Sequence, residues 1–323
     1  MKATIFLCLK TAFAIIGTVI GAGFITGREI ITFFHGINLI YSVIMFFIFF
    51  TVAICFLLNA KNLQKLKIHK FFQPLILFGN LIILSGMLSA LDDVFFEVTK
   101  IPFNLPFFSI IMLIISNVVV SKGVEGLKVC NTFLVPLMLV VTAIILFFFG
   151  SNKLVVFSNF NIKNVVLYIG MNTFMSSTVF NDLGETLTLK QSIFTSIIVS
   201  AILCLMIFGI ELSLNGCDKS VIDSNVPLLS MLRGRKNIKT IFSLVVVIGI
   251  ITTLFSSHYP LFLFCENFKK ANIAKVTLSV VAFAISRMGF YNIVNYLYPL
   301  LGVIGVVYLL ITSILLVFFP KEQ

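Results

Sequence analysis

The sequence predicts an all-α polytopic membrane protein of about ten spanning helices, arranged as two inverted five-helix repeats with the first and sixth helices discontinuous. Three observations carry this reading. Apolar stretches of about 18 residues or more recur from end to end, glycines interrupt the first of them, and a polar divider leaves five stretches on either side. The chain is 59% hydrophobic and 11% charged, with a mean hydropathy of +1.14. That balance excludes a water-soluble globule and makes the lipid bilayer the first partner.

Each element follows from hydropathy and its punctuation. The first stretch, Thr4 to His35, is long enough to hold two half-helices around Gly17, Gly21 and Gly23, and the second runs from Leu39 to Leu58. A basic connection with Lys61, Lys65, Lys67 and Lys70 follows. Pro74 to Phe96, Leu105 to Val120 and Val129 to Phe149 complete the first half, residues 1–150; Ser151 to Asn161 lies in the divider, 151–163. The second half, 164–323, holds Val165 to Phe180, Ser192 to Leu212, Ile238 to Ser257, Ile273 to Ile285 and Tyr296 to Phe319. An odd number of helices per half forces the halves into opposite directions. Between the seventh and eighth, Val226 to Leu232 is apolar but too short to span, which predicts a re-entrant or surface helix.

Basic residues set the orientation. With the N-terminus in the cytoplasm, 13 Lys and Arg fall inside and 10 outside, 5 of the latter in the connection Asn215 to Lys239. The cluster Arg233, Arg235, Lys236 and Lys239 therefore opposes the assignment. The formal charge of +11 lies in short connections between apolar stretches, so nucleic acid is not an expected partner. Six cysteines without CxxC or histidine-partnered spacing indicate no metal centre or disulfide framework.

The run Gly17-Thr18-Val19-Ile20-Gly21-Ala22-Gly23-Phe24 is the most informative segment. Glycine costs about 1 kcal/mol relative to alanine inside a helix. Opened backbone at membrane depth persists only where protein or a wet cavity satisfies it. Two readings fit: a binding site built from backbone, or close packing through the GxxxG pair Gly17 and Gly21. The sixth stretch again carries glycine and polar residues at mid-span, Gly170, Asn172, Thr173, Ser176 and Ser177, and paired interruptions favour the site.

The glycine run, followed by Gly27 and Glu29, resembles the opening helix of bacterial YkvI-type membrane proteins, a branch of the amino acid-polyamine-organocation superfamily. Tyr168 with Asn172, Thr252-Thr253, Gly289-Phe290 and Tyr298-Pro299-Leu300-Leu301-Gly302 are similar to that family too. The resemblance implies a LeuT-type fold and alternating access for a small solute, with a site formed by Thr18, Gly21, Ala22, Gly23, Phe24, Tyr168, Asn172, Thr173 and Ser176. By the same resemblance, a sodium ion has the carbonyls of Gly17 and Ile20 and the hydroxyls of Thr252 and Thr253, or Ser256 and Ser257. Such oxygens suit a hard cation; the alternative is that each hydroxyl bonds back to its own helix. The fifth stretch holds no lysine to replace the ion.

Among charges near the membrane, Arg28, Glu29, Asp92, Asp93, Glu211 and Arg287 are functional candidates, because embedding a charge is costly. Glu29, six residues beyond Gly23, is placed at an outer vestibule as a gate; His258 is placed at a helix end. A secondary transporter for an amino acid or related amine or carboxylate, coupled to sodium or protons, leads the functional readings. A membrane sensor of the same fold stays open. An enzyme is disfavoured, since HExxH, GxSxG and GxxxxGK are absent.

Overall fold

The computed structural model describes residues 2–34, 39–65, 68–100, 107–121, 124–150 and 161–318. Its helices group into ten among the described residues. The first comprises Lys2–Val19, Ala22–Ile25 and Arg28–Phe34; the second to fifth are Leu39–Lys65, Ile68–Thr99, Phe107–Val120 and Val124–Phe149. Ile162–Gly184, Leu189–Leu214, Lys236–Glu266 and Ala271–Ser286 follow, and the tenth joins Phe290–Asn292, a π-helical turn Ile293–Leu297 and Tyr298–Phe318. Among the described residues, five segments are each long and apolar enough to cross a membrane, the longest being Lys236–Glu266. Large apolar side chains such as Phe71, Phe147, Leu205 and Phe318 face outward, as a bilayer-embedded surface requires.

The two halves pack alike. The first helix lies against the fifth and seventh, and the sixth lies correspondingly against the tenth and second; the third meets the ninth as the eighth meets the fourth. The third and eighth cross each other, as do the second and seventh. Exchanging each helix with the one five places away preserves these main contacts.

Several boundaries differ from the sequence reading. The basic stretch is helical up to Lys65 and again from Ile68, and Pro74 sits inside the third helix. A proline costs a helix one hydrogen bond, which surrounding packing offsets here. Most of the divider and His35 lie outside the described residues. The sixth helix is unbroken from Ile162 to Gly184, correcting the expected interruption. Gly170 serves close approach: a Cβ there would stand 2.8 Å from Val306 N and 3.1 Å from Gly302 O. Its polar neighbours are satisfied within the helix, Asn172 Nδ2 donating to Tyr168 O at 3.0 Å and Ser177 Oγ to Phe174 O at 2.7 Å. His258 is likewise no cap; it lies within the eighth helix and pairs with Ser116 Oγ of the fourth at 2.6 Å.

The end of the bundle holding residues 215–235, outer on the orientation above, carries a polar layer. Glu97 of the third helix receives Lys239 Nζ and Lys100 Nζ, each at 2.7 Å, with Arg233 at 3.8 Å. Arg235 stacks over Phe149 at 4.7 Å. Three of the four basic residues that opposed the assigned orientation thus have partners within the protein. The short apolar segment forms the helix Pro227–Met231, with Pro227 to Ser230 buried.

Candidate functional site

The first helix opens at Ile20 and Gly21, as the glycines predict. Gly21 N–H donates to Val19 O at 3.1 Å, so the Gly17 carbonyl loses the donor a continuous helix would give it. Beyond the opening, Ala22–Ile25 makes one turn of helix and Thr26–Gly27 a second interruption. Gly27 has φ +81°, a left-handed conformation that favours glycine. Leu228 N–H donates to Thr26 O at 3.0 Å, so the short outer helix Pro227–Met231 caps this second turn.

Three clusters surround the opening. On the eighth helix, Thr253 abuts Gly21: a Cβ on that glycine would lie 3.2 Å from Thr253 Cγ2 and 3.3 Å from Oγ1. Thr252 and Thr253 both donate to Gly249 O, at 3.0 and 2.9 Å, and Ser256 and Ser257 also donate to carbonyls of their own helix. Back-bonding uses each hydroxyl proton and leaves oxygen lone pairs free to accept. Pro260 further deprives the Ser256 carbonyl of its helical donor. Of the expected cation set, Thr253 stands against the opened turn at Gly21; Ser257 Oγ turns to Leu254 O.

On the sixth helix, Ser176 Oγ receives Thr18 Oγ1 at 2.8 Å. Asn172 and Thr173 line a cavity of about 10 Å³, closed by Ile15, Val19, Phe49 and Val199 among others, room for roughly one water. Ala22 lies in the turn beyond the opening, and Phe24 is fully buried there.

The third cluster holds Glu29. Its side chain folds back over Gly23, where any Cβ would collide with the carboxylate, as helical side chains lean toward their N-terminus. Glu29 is 4% exposed. It therefore sits within the bundle beside the opening rather than at an outer vestibule. Tyr168 and Tyr298 lie within its electrostatic reach. Tyr168 is wholly buried, its ring 5.3 Å from Phe33, 4.6 Å from Phe34 and 6.3 Å from Phe49, and its hydroxyl makes no hydrogen bond of good geometry among the described residues, Asn172 being its polar neighbour.

Arg28, next to Glu29, turns instead toward the outer loop and the tenth helix. Its guanidinium donates to Ile222 O at 2.8 Å and to Asn295 Oδ1 at 3.1 Å, and stacks over Tyr291 at 4.2 Å. Thr32 Oγ1 donates to the same Asn295 oxygen at 2.7 Å. The first helix is thereby tied to the tenth and to the outer loop. Asn295 was missed from sequence, although it lies in the π-helical turn ahead of Pro299, whose missing N–H leaves the Asn295 carbonyl without its helical donor. Arg28→Ala is expected to untie this end. Charged hydrogen bonds contribute about 1.5–3 kcal/mol each, so amide exchange across 26–34 should accelerate at least about tenfold. Unchanged exchange would show that Arg28 does not tie the first helix to the tenth.

No protein-family profile matches the chain. It is 22% identical over 326 residues to the uncharacterized membrane protein YkvI of Bacillus subtilis (strain 168), covering 93% of each chain. Among solved structures it is similar to MHP1, a nucleobase-cation-symport-1 family transporter in a closed conformation with bromovinylhydantoin bound. The TM-score is 0.59 at 13% identity, over 93% of this chain and 76% of that one. The architecture is therefore the LeuT-type fold, with its first helix open and its sixth intact.

Proposed function

We propose that the protein is a secondary transporter of the amino acid-polyamine-organocation superfamily, moving an amino acid or related amine or carboxylate by alternating access. One observation carries the reading: the first helix opens its backbone inside the bundle, between eighth-helix hydroxyls and the polar face of the sixth. A structural helix gains nothing from that arrangement, whereas a solute needs polar groups unspent on the fold. The likeness to MHP1 supports it at the level of fold. The domains follow as two repeats, 1–150 and 164–323, with the solute held where the first and sixth helices meet.

The passage toward the cytoplasm lies along the seventh helix. Ser192, Thr195, Ser196 and Ser200 are buried without hydrogen-bond partners among the described residues, and they continue toward the small cavity at Val199 and Leu203. Buried hydroxyls left unsatisfied cost free energy unless water reaches them in another state of the protein. Uptake of radiolabelled amino acids and amines into proteoliposomes tests the carrier. Accumulation against a gradient supports it, and binding without accumulation assigns the chain to sensing.

Sodium is the coupling ion we favour, held by the carbonyls of Gly17 and Ile20 with the Thr252 and Thr253 hydroxyls. Replacing both threonines with alanine should raise the sodium concentration needed for half-maximal uptake at least about tenfold, with little change in solute affinity at saturating sodium. Coupling free energies of about 1–3 kcal/mol make the shift readable. Uptake driven by a pH gradient in sodium-free buffer, unchanged by the double substitution, would rule out this site.

A further inference from the structure

Glu29 is an acid buried within the bundle, and no ion pair to it exists among the described residues. The neighbouring cation, Arg28, directs its guanidinium away to Ile222 O and Asn295. The elements packed against 28–34 carry Lys163, Tyr168 and Asp182 on the sixth helix, Lys190, Cys204 and Glu211 on the seventh, and Tyr291, Tyr296, Tyr298 and Tyr308 on the tenth. The two cations among them, Lys163 and Lys190, are exposed in the first turns of their helices. An ionised carboxylate in such surroundings costs several kcal/mol, so Glu29 is neutralised by a proton or by a cation that enters from outside.

The surroundings discriminate between entering cations. Tyr168 presents its phenol beside Glu29, with Asn172 as its polar neighbour and Phe33, Phe34 and Phe49 bracing the ring. Aromatic walls favour a weakly hydrated organic ammonium, and a carboxylate with a phenol supplies acceptors for its N–H groups. A small metal ion would need more oxygens than this corner offers.

We propose that Glu29 is an exchange site that holds a proton in the solute-free protein and an organic ammonium group when the solute is bound. The exchange balances: one proton leaves the carboxyl for solvent as one ammonium enters, and the charge of the pocket stays constant. Taking the transported solute to be the ammonium donor rests on the carrier reading above, yet the exchange is an equilibrium property that a non-transporting receptor would also show.

The test uses the full-length protein in nanodiscs and needs no transport. Dicyclohexylcarbodiimide reacts with protonated carboxyls in apolar surroundings, and mass spectrometry locates the adduct. The expected result is Glu29 labelling that is suppressed by at least one of isobutylamine, phenethylamine and leucine methyl ester. Suppression should be about tenfold at ten times the dissociation constant, by mass action, with close to one proton released per ammonium bound in weakly buffered solution. Isovalerate and 3-phenylpropionate, matched in shape but anionic, should leave labelling unchanged. Glu29→Gln should keep its thermal stability and lose the proton release. Absent labelling of Glu29, labelling unaffected by every amine, protection by sodium chloride alone, or proton release retained in Glu29→Gln would each overturn the proposal.

Discussion

Leucine in place of Gly21 is expected to abolish solute binding while the protein still folds. The opening at Ile20–Gly21 meets Thr253 so closely that even a methyl group would stand 3.2 Å from the threonine side chain. Alanine requires a shift of a few tenths of an ångström, which one side chain can give. The three further carbons of leucine have to enter the gap between the first and eighth helices, where Thr253 stands against the opened turn. Backbone that is already non-helical loses no helix hydrogen bond through the substitution, so the damage falls on the site. Thermal-shift titration with amines and amino acids should show no ligand response in Gly21→Leu and a weakened one in Gly21→Ala. A wild-type response in the leucine variant would make the glycines packing residues only.

A larger effect on the fold itself is expected at the crossing of the sixth and tenth helices. A Cβ on Gly305 would collide with the carbonyl oxygen of Gly170, and one on Gly302 would lie 2.8 Å from Leu167 O. Both obstacles are backbone and cannot turn aside as a side chain can. Gly305→Ala should therefore push the helices apart along their main contact, costing more than about 3 kcal/mol, at or beyond the usual range for overpacking. Loss of monodisperse protein, or a melting temperature lowered by many degrees, is the expected readout. An unchanged melting temperature would show that the helices do not approach so closely.

The same glycines show where sequence reasoning works and where it stops. Gly21 and Gly170 look equivalent in the chain, each a glycine among polar residues at mid-span. In the first helix Gly17, Gly21 and Gly23 act together and the backbone opens. In the sixth, Gly170 is matched by Gly302 and Gly305 more than 130 residues later, and the helix stays whole because its glycine face is filled by another backbone. Only the partner distinguishes the two cases, and periodicity holds no information about partners. Helix number and the first opening were legible because hydropathy and glycine spacing are local. The roles of Arg28 and Glu29 were not, because adjacent positions on a helix point about 100° apart, and which one turns inward is set by packing. Asn295 carried a faint signal, an amide in an apolar helix shortly before a proline.

An unbroken sixth helix has a mechanical consequence. Its 23 residues make a rod of about 35 Å at 1.5 Å per residue, without a joint at which its ends could move separately. A tilt of about 10° around its centre carries each end roughly 3 Å, in opposite directions, by the same rise. Whatever space the tilt creates at one face of the membrane, it removes at the other. On the carrier reading proposed above, this helix would be a lever with its crossing with the tenth as the fulcrum, and mutually exclusive access would be a property of stiffness rather than of two independently timed doors.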